Sequence, residues 1–112
     1  MAKPISRPLS QYSLDALALF GQLVREARLA KAMTTTDLAS RAGISRALLQ
    51  RIERGDPGCS IGAVFEVAAL CGVSLFDREQ RQLTTYLALH KEKMTLLPKA
   101  VRVRTKRVKD DF

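Results

Sequence analysis

Arg46, Ala47, Gln50, Arg51 and Arg54 stand in one short stretch of the chain between Gly43 and Gly55. Their types and spacing define a chemistry. An arginine forks two N–H donors onto guanine O6 and N7, a glutamine pairs with adenine N6 and N7, and an alanine methyl touches the thymine methyl. On a helical wheel Ala47, Gln50, Arg51 and Arg54 share one face, and Ser45, Leu49 and Ile52 share the other. Arg46 falls in the first turn, the part of a groove-lying helix that reaches base edges. No comparable set supports catalysis. His90 has no acid, serine or cysteine in pattern with it, and Cys59 and Cys71 match no zinc spacing. No enzyme activity, cofactor or metal is therefore expected.

The elements around this stretch must hold it in place. Thr34 and Asp37 have capping-box spacing, with Asp in place of the usual Glu or Gln, and open a short helix that ends at Ala42-Gly43. Ser45 is a suitable N-cap for the next helix, which ends at Arg54-Gly55. Leu38, Ala42, Ile44, Leu49 and Ile52 are the apolar anchors, and Ala39 is small where the two helices must cross. This is the spacing of a helix-turn-helix, whose second helix lies in the major groove. A first helix runs from about Leu14 to Lys31, with Leu14, Leu17, Phe20, Gly21, Val24, Arg28 and Lys31 on its inward stripe. Glu53 falls on the inward half of the third helix. Charges on core-facing stripes are costly unless paired, so Arg28 and Glu53 are expected to pair with each other. A fourth helix follows Ser60 and stops at Gly72.

Residues 20–73 resemble the phage-repressor-like, or Xre-type, helix-turn-helix domain. The matching residues are Gly21, Val24, Arg28, Thr34, Leu38-Ala39, Gly43-Ile44-Ser45, Ile52-Glu53-Arg54-Gly55 and Gly72-Val73. The resemblance implies an all-α fold, a compact bundle of five helices that binds operator DNA as a two-fold dimer. It assigns base reading to Arg46, Ala47, Gln50 and Arg51. Phosphate contact falls to Thr34, Thr35, Ser45, Arg54 and Ser60, with Thr35 standing where the family often has a longer Gln. The loop from Gly55 to Gly62, the helical extension, the Leu96-Leu97-Pro98 stop, the basic tail and the terminal Asp110-Asp111-Phe112 look like HipB-type antitoxins. That narrower likeness implies a repressor of its own operon that also binds a HipA-type Ser/Thr kinase toxin.

The remaining organisation follows from composition. The chain has 112 residues, 19 Lys and Arg against 11 Asp and Glu, and a net charge of +8, a balance that suits a polyanionic partner. A flexible arm is expected over residues 1–12, the DNA-binding block over 13–75, a long helix over 76–98 and a basic flexible tail over 99–112. The long helix carries Phe76, Leu83, Leu87, His90, Met94 and Leu97, heptad-like from Leu83 onward. Leu83, Leu87, Met94 and Leu97 are candidates for a homodimer or toxin contact, and Phe112 for toxin docking. The tail holds six basic and two acidic residues, a net charge of +4, and can add as a strand to a partner or attract phosphate nonspecifically. No apolar run reaches the roughly 20 residues that span a bilayer. The N-terminus has no signal-peptide pattern, so a cytoplasmic place with free thiols is expected. Competing readings are a free-standing Xre-type regulator and a pure protein-interaction module. RNA binding is less favoured, since no aromatics interleave with the basic residues to stack unpaired bases.

Overall fold

The computed structural model describes residues 8–101. Five helices follow in order: α1 Gln11–Ala30, α2 Thr35–Ala42, α3 Arg46–Glu53, α4 Ile61–Cys71 and α5 Gln80–Thr95. The fold is all-α. Two compact units divide the described chain, one ending at Asp77 and one starting at Arg78.

In the first unit every helix start is fixed by a hydroxyl. Ser10, Thr34, Ser45 and Ser60 each accept the N–H three residues on, at 3.1, 3.0, 3.0 and 3.2 Å. Each bond satisfies a donor that the first helical turn leaves orphaned. At Thr34 the box is complete, because Asp37 Oδ2 accepts the Thr34 N–H at 3.2 Å. The Ser10 cap starts α1 at Gln11, three residues earlier than the apolar stripe begins, so the arm expected over residues 1–12 loses Gln11 and Tyr12 to the helix. Residues 1–7 lie outside the described residues.

The turn between α2 and α3 is as tight as its spacing requires. Gly43 adopts φ +70°, and Ile44 N–H closes on Ala39 C=O at 3.0 Å, so only a residue tolerant of the left-handed region fits here. The turn from α1 to α2 uses the same stop with Ala32 at φ +56°, where a Cβ is disfavoured.

The core draws on one to three residues of each of α1 to α4 and on Met33 in the turn between α1 and α2. Val24, Met33, Leu38, Ala39, Leu49, Ile52, Val67, Ala68 and Cys71 are buried, with Phe20, Ala42, Ile44 and Val64 packed against them. Helix α2 packs on α3 and α4, and α1 packs on the same two. The ends of the expected α1 stripe, Leu14 and Lys31, are exposed.

The second unit is α5 with its flanks. The long helical pattern expected from residue 76 begins only at Gln80, because Phe76 and Asp77 both take φ +56° and cannot be helical. Phe76 instead sets its ring edge-on to Phe65, centroids 6.3 Å apart. Gln82 Oε1 accepts the Glu79 N–H at 3.1 Å at the start of α5. The helix ends at Thr95 with Leu96 as its cap, ahead of Leu97 and Pro98. No helix among the described residues is long and apolar enough to cross a membrane.

Candidate nucleic-acid interface

Helix α3 is only eight residues long and gains its position from α1. Ile52 and Glu53 press their carbonyl oxygens against Gly21, where a Cβ would fall 2.6 Å from both. Gly55, at φ +79°, lies as close to α1, since a Cβ there would stand 2.9 Å from Ala18 Cα. Further along α1, Arg28 and Glu53 meet side chain to side chain. Arg28 Nε donates to Glu53 Oε2 at 2.7 Å and Nη2 to Oε1 at 3.0 Å, with both side chains only 8% exposed. Arg28 Nη1 donates to Met33 C=O at 2.9 Å, so the same guanidinium also fastens the turn into α2. The glutamate raises the arginine pKa further above its ordinary value, mainly through these hydrogen bonds and against the effect of burial.

With Leu49 and Ile52 buried by this packing, the opposite side of α3 faces solvent. Arg46, Ala47, Gln50 and Arg54 are exposed there, Arg54 as the helix C-cap. Thr34, Ser45 and Ser60 are exposed at the starts of α2, α3 and α4, and Thr35 is half-buried in the first turn of α2. Each capping hydroxyl uses one oxygen lone pair for the cap and keeps its O–H proton free to donate. A phosphate oxygen accepts such a proton, so the residues that shape the helix starts are also able to hold a DNA backbone. The exposed side of α3 therefore carries a forked donor at Arg46, an amide at Gln50 and a methyl at Ala47.

Arg51 differs from its neighbours. It is half-buried, with Nε 3.0 Å and Nη2 3.5 Å from the two oxygens of Asp56. Asp56 Oδ1 also accepts the Gly58 N–H at 2.7 Å. The guanidinium, then the Gly58 amide, hold the Asp56 carboxyl below the usual carboxylate range. Sequence reasoning did not find Asp56. Its only signal is an acid just past the Gly55 stop and before Pro57-Gly58.

The helix-turn-helix domain family model matches residues 19–84, more than half of the chain. The chain belongs to the helix-turn-helix domain family. It is thus a DNA-binding domain by family as well as by the shape of its α2–turn–α3 unit. No curated protein matches the chain.

The α5 candidates belong to the second unit. Leu83 is half-buried, while Leu87, Met94 and Leu97 are 53%, 52% and 45% exposed, and Tyr86 and Leu89 add exposed apolar surface. Leu97 lies past the helix end. Phe112 and the basic tail from Arg102 onward lie outside the described residues. Among the described residues no three His, Cys, Asp or Glu side chains gather as a metal site. Burial pushes the Cys71 thiol up, which favours its protonated, unreactive form.

The geometry of Arg28 and Glu53 sets a stability test. Removing one member leaves a buried charge without its partner, so Glu53→Ala is expected to cost roughly 3–5 kcal/mol. Replacing both, in Arg28→Met/Glu53→Leu, is expected to cost less than either single change. Urea unfolding of wild type, Glu53→Ala, Arg28→Met, Glu53→Leu and the double variant measures this. A Glu53→Ala protein within about 1 kcal/mol of wild type would fit only a surface pair.

Proposed function

We propose that this chain is a sequence-specific repressor of transcription that binds double-stranded operator DNA as a homodimer. The observation that carries the reading is the division of α3. Leu49 and Ile52 are buried against the bundle, and Arg46, Ala47 and Gln50 are exposed, the set that base edges in the major groove require. Arg51 joins them through the end of its guanidinium. Thr34, Thr35, Ser45, Arg54 and Ser60 supply phosphate contacts, which set register without reading sequence. The net charge of +8 supports nonspecific attraction to the same partner.

One helix-turn-helix spans few base pairs, so two copies are needed for a selective site. Two-fold pairing places half-sites about 34–36 Å apart, or a multiple of that. The exposed apolar residues Leu87, Met94 and Leu97 support α5 as the element that pairs. The same reading includes a role as antitoxin of a type II toxin–antitoxin system, repressing its own operon and binding a HipA-type Ser/Thr kinase. The likeness of the Gly55–Gly62 loop and of the C-terminal tail to HipB-type antitoxins supports this, with Phe112 as the anchor on the toxin.

Two measurements test the proposal. Against DNA selected from a random pool by the full chain, Gln50→Ala is expected to lose roughly 1–3 kcal/mol, concentrated at one base position of each half-site. An equal loss on selected and random DNA would make Gln50 a backbone contact and contradict base reading. In sedimentation, Leu87→Asp is expected to shift the free protein from dimer to monomer, and an unchanged dimer would place the interface elsewhere. Co-expression with a HipA-type kinase separates the antitoxin reading from a free-standing regulator, because only an antitoxin is expected to co-purify with the kinase.

A further inference from the structure

The chain leaving α3 brings a carboxylate to a face that otherwise carries cations and neutral groups. A carboxylate set against phosphate is repelled, so Asp56 is an unexpected neighbour for Arg51 on a DNA-binding surface. Its placement is specific. Asp56 N–H donates to Arg51 C=O at 3.0 Å, and the Asp56 side chain then takes Arg51 Nε at 3.0 Å and Nη2 at 3.5 Å. Gly58 N–H donates to Asp56 Oδ1 at 2.7 Å and holds the carboxylate from the far side. The fit leaves little room, since a Cβ on Gly58 would stand 3.0 Å from Arg51 Nη2 and 3.2 Å from Asp56 Oδ1.

A guanidinium carries five N–H donors in a planar fork. Nε and one Nη donate along its side edge, and the two Nη groups donate together from its end. Asp56 occupies the side edge. Among the described residues no other acceptor takes an Arg51 N–H, so the end pair is uncommitted. Either pair can fork onto guanine O6 and N7, and the end pair is the one left free to do so.

We infer that Asp56 is a positioning residue for base reading, which holds the Arg51 guanidinium by its side edge so that its end fork is presented to a guanine. This rests on the proposed insertion of α3 into the major groove. Asp56 thereby acts on specificity in two ways. It restricts the rotamers of a long side chain before DNA arrives, and it makes Arg51 less attractive to a phosphate that would otherwise compete with the base. It touches neither base nor phosphate itself.

The test uses the full chain, DNA selected from a random pool, and single-base variants of the selected site. Wild type, Arg51→Ala, Asp56→Asn, Asp56→Ala and the double variant Arg51→Ala/Asp56→Asn are compared. Asp56→Asn keeps an acceptor for Gly58 N–H and removes the charge, so the loop is retained. Wild type is expected to prefer a guanine at one position, a preference that Arg51→Ala removes. Asp56→Asn is expected to weaken that preference about tenfold, within the range of one bidentate base contact. Its affinity for random DNA is expected to be equal or higher. In the double variant Asp56→Asn should add nothing to Arg51→Ala. A guanine preference kept intact in Asp56→Asn, or losses that multiply in the double variant, would overturn the inference alone. So would an equal loss on all DNA in both Asp56→Asn and Asp56→Ala, which is the signature of a loop-structural role. A wild type that selects no sequence at all would overturn groove reading and this inference together.

Discussion

The Arg28 guanidinium touches three parts of the chain from one buried position. It rises from α1, donates twice to Glu53 on α3 and once to the Met33 carbonyl in the turn before α2. An eight-residue helix has little stability of its own in water, because nucleation is costly and few hydrogen bonds follow it. Helix α3 therefore exists where its inner side is held, and the pair decides its rotation about its axis. Burying two charges contributes little net stability compared with apolar packing, but breaking one partner away is severe. The pair, together with the burial of Leu49 and Ile52, holds α3 in the pose the structure shows. Gly21 and Gly55 extend the same constraint, since each admits the backbone contact between α1 and the end of α3 that a Cβ would block. Gly21 faces the carbonyls of Glu53, itself a member of the pair, and of Ile52 beside it.

From that pose the rest of the surface follows. With Leu49 and Ile52 turned inward, helical geometry leaves Arg46, Ala47, Gln50 and Arg51 no other side to occupy. The same hydroxyls that start the helices keep an O–H proton to donate, so under the proposed reading fold and DNA-backbone contact share atoms at Thr34, Ser45 and Ser60. The Asp56 carboxylate then separates two kinds of arginine on one face. Arg54 is an exposed cation open to phosphate, and Arg51 has its side edge already occupied. Charge alone would treat both alike.

Much of this was legible in the sequence where one residue type has one local use. Ser and Thr caps, the Gly43 stop and the inward charges at Arg28 and Glu53 each follow from helical periodicity and the cost of an orphaned polar group. The first turn of α1 was missed because Ser10 caps it while Gln11 and Tyr12 are exposed and add nothing to an apolar stripe. The start of α5 was placed too early because Phe76 and Asp77 are not residues that announce a left-handed turn, and Phe76 has a packing partner in Phe65. The Arg51–Asp56 contact spans a helix stop. Only the reversal at Gly55 brings the two residues together, and helical spacing carries no trace of it.

The central claim is that α3, held by α1, enters the major groove and reads bases there. Methylation of guanine N7 blocks the major groove, and methylation of adenine N3 blocks the minor groove. An interference measurement with dimethyl sulfate, on DNA selected by the full chain, therefore tests the claim most directly. The account predicts loss of binding from N7-methylated guanines clustered in two patches about 34–36 Å apart, or a multiple of that, with adenine N3 methylation tolerated inside them. Interference confined to adenine N3, or none at any guanine of a selected guanine-containing site, would contradict it.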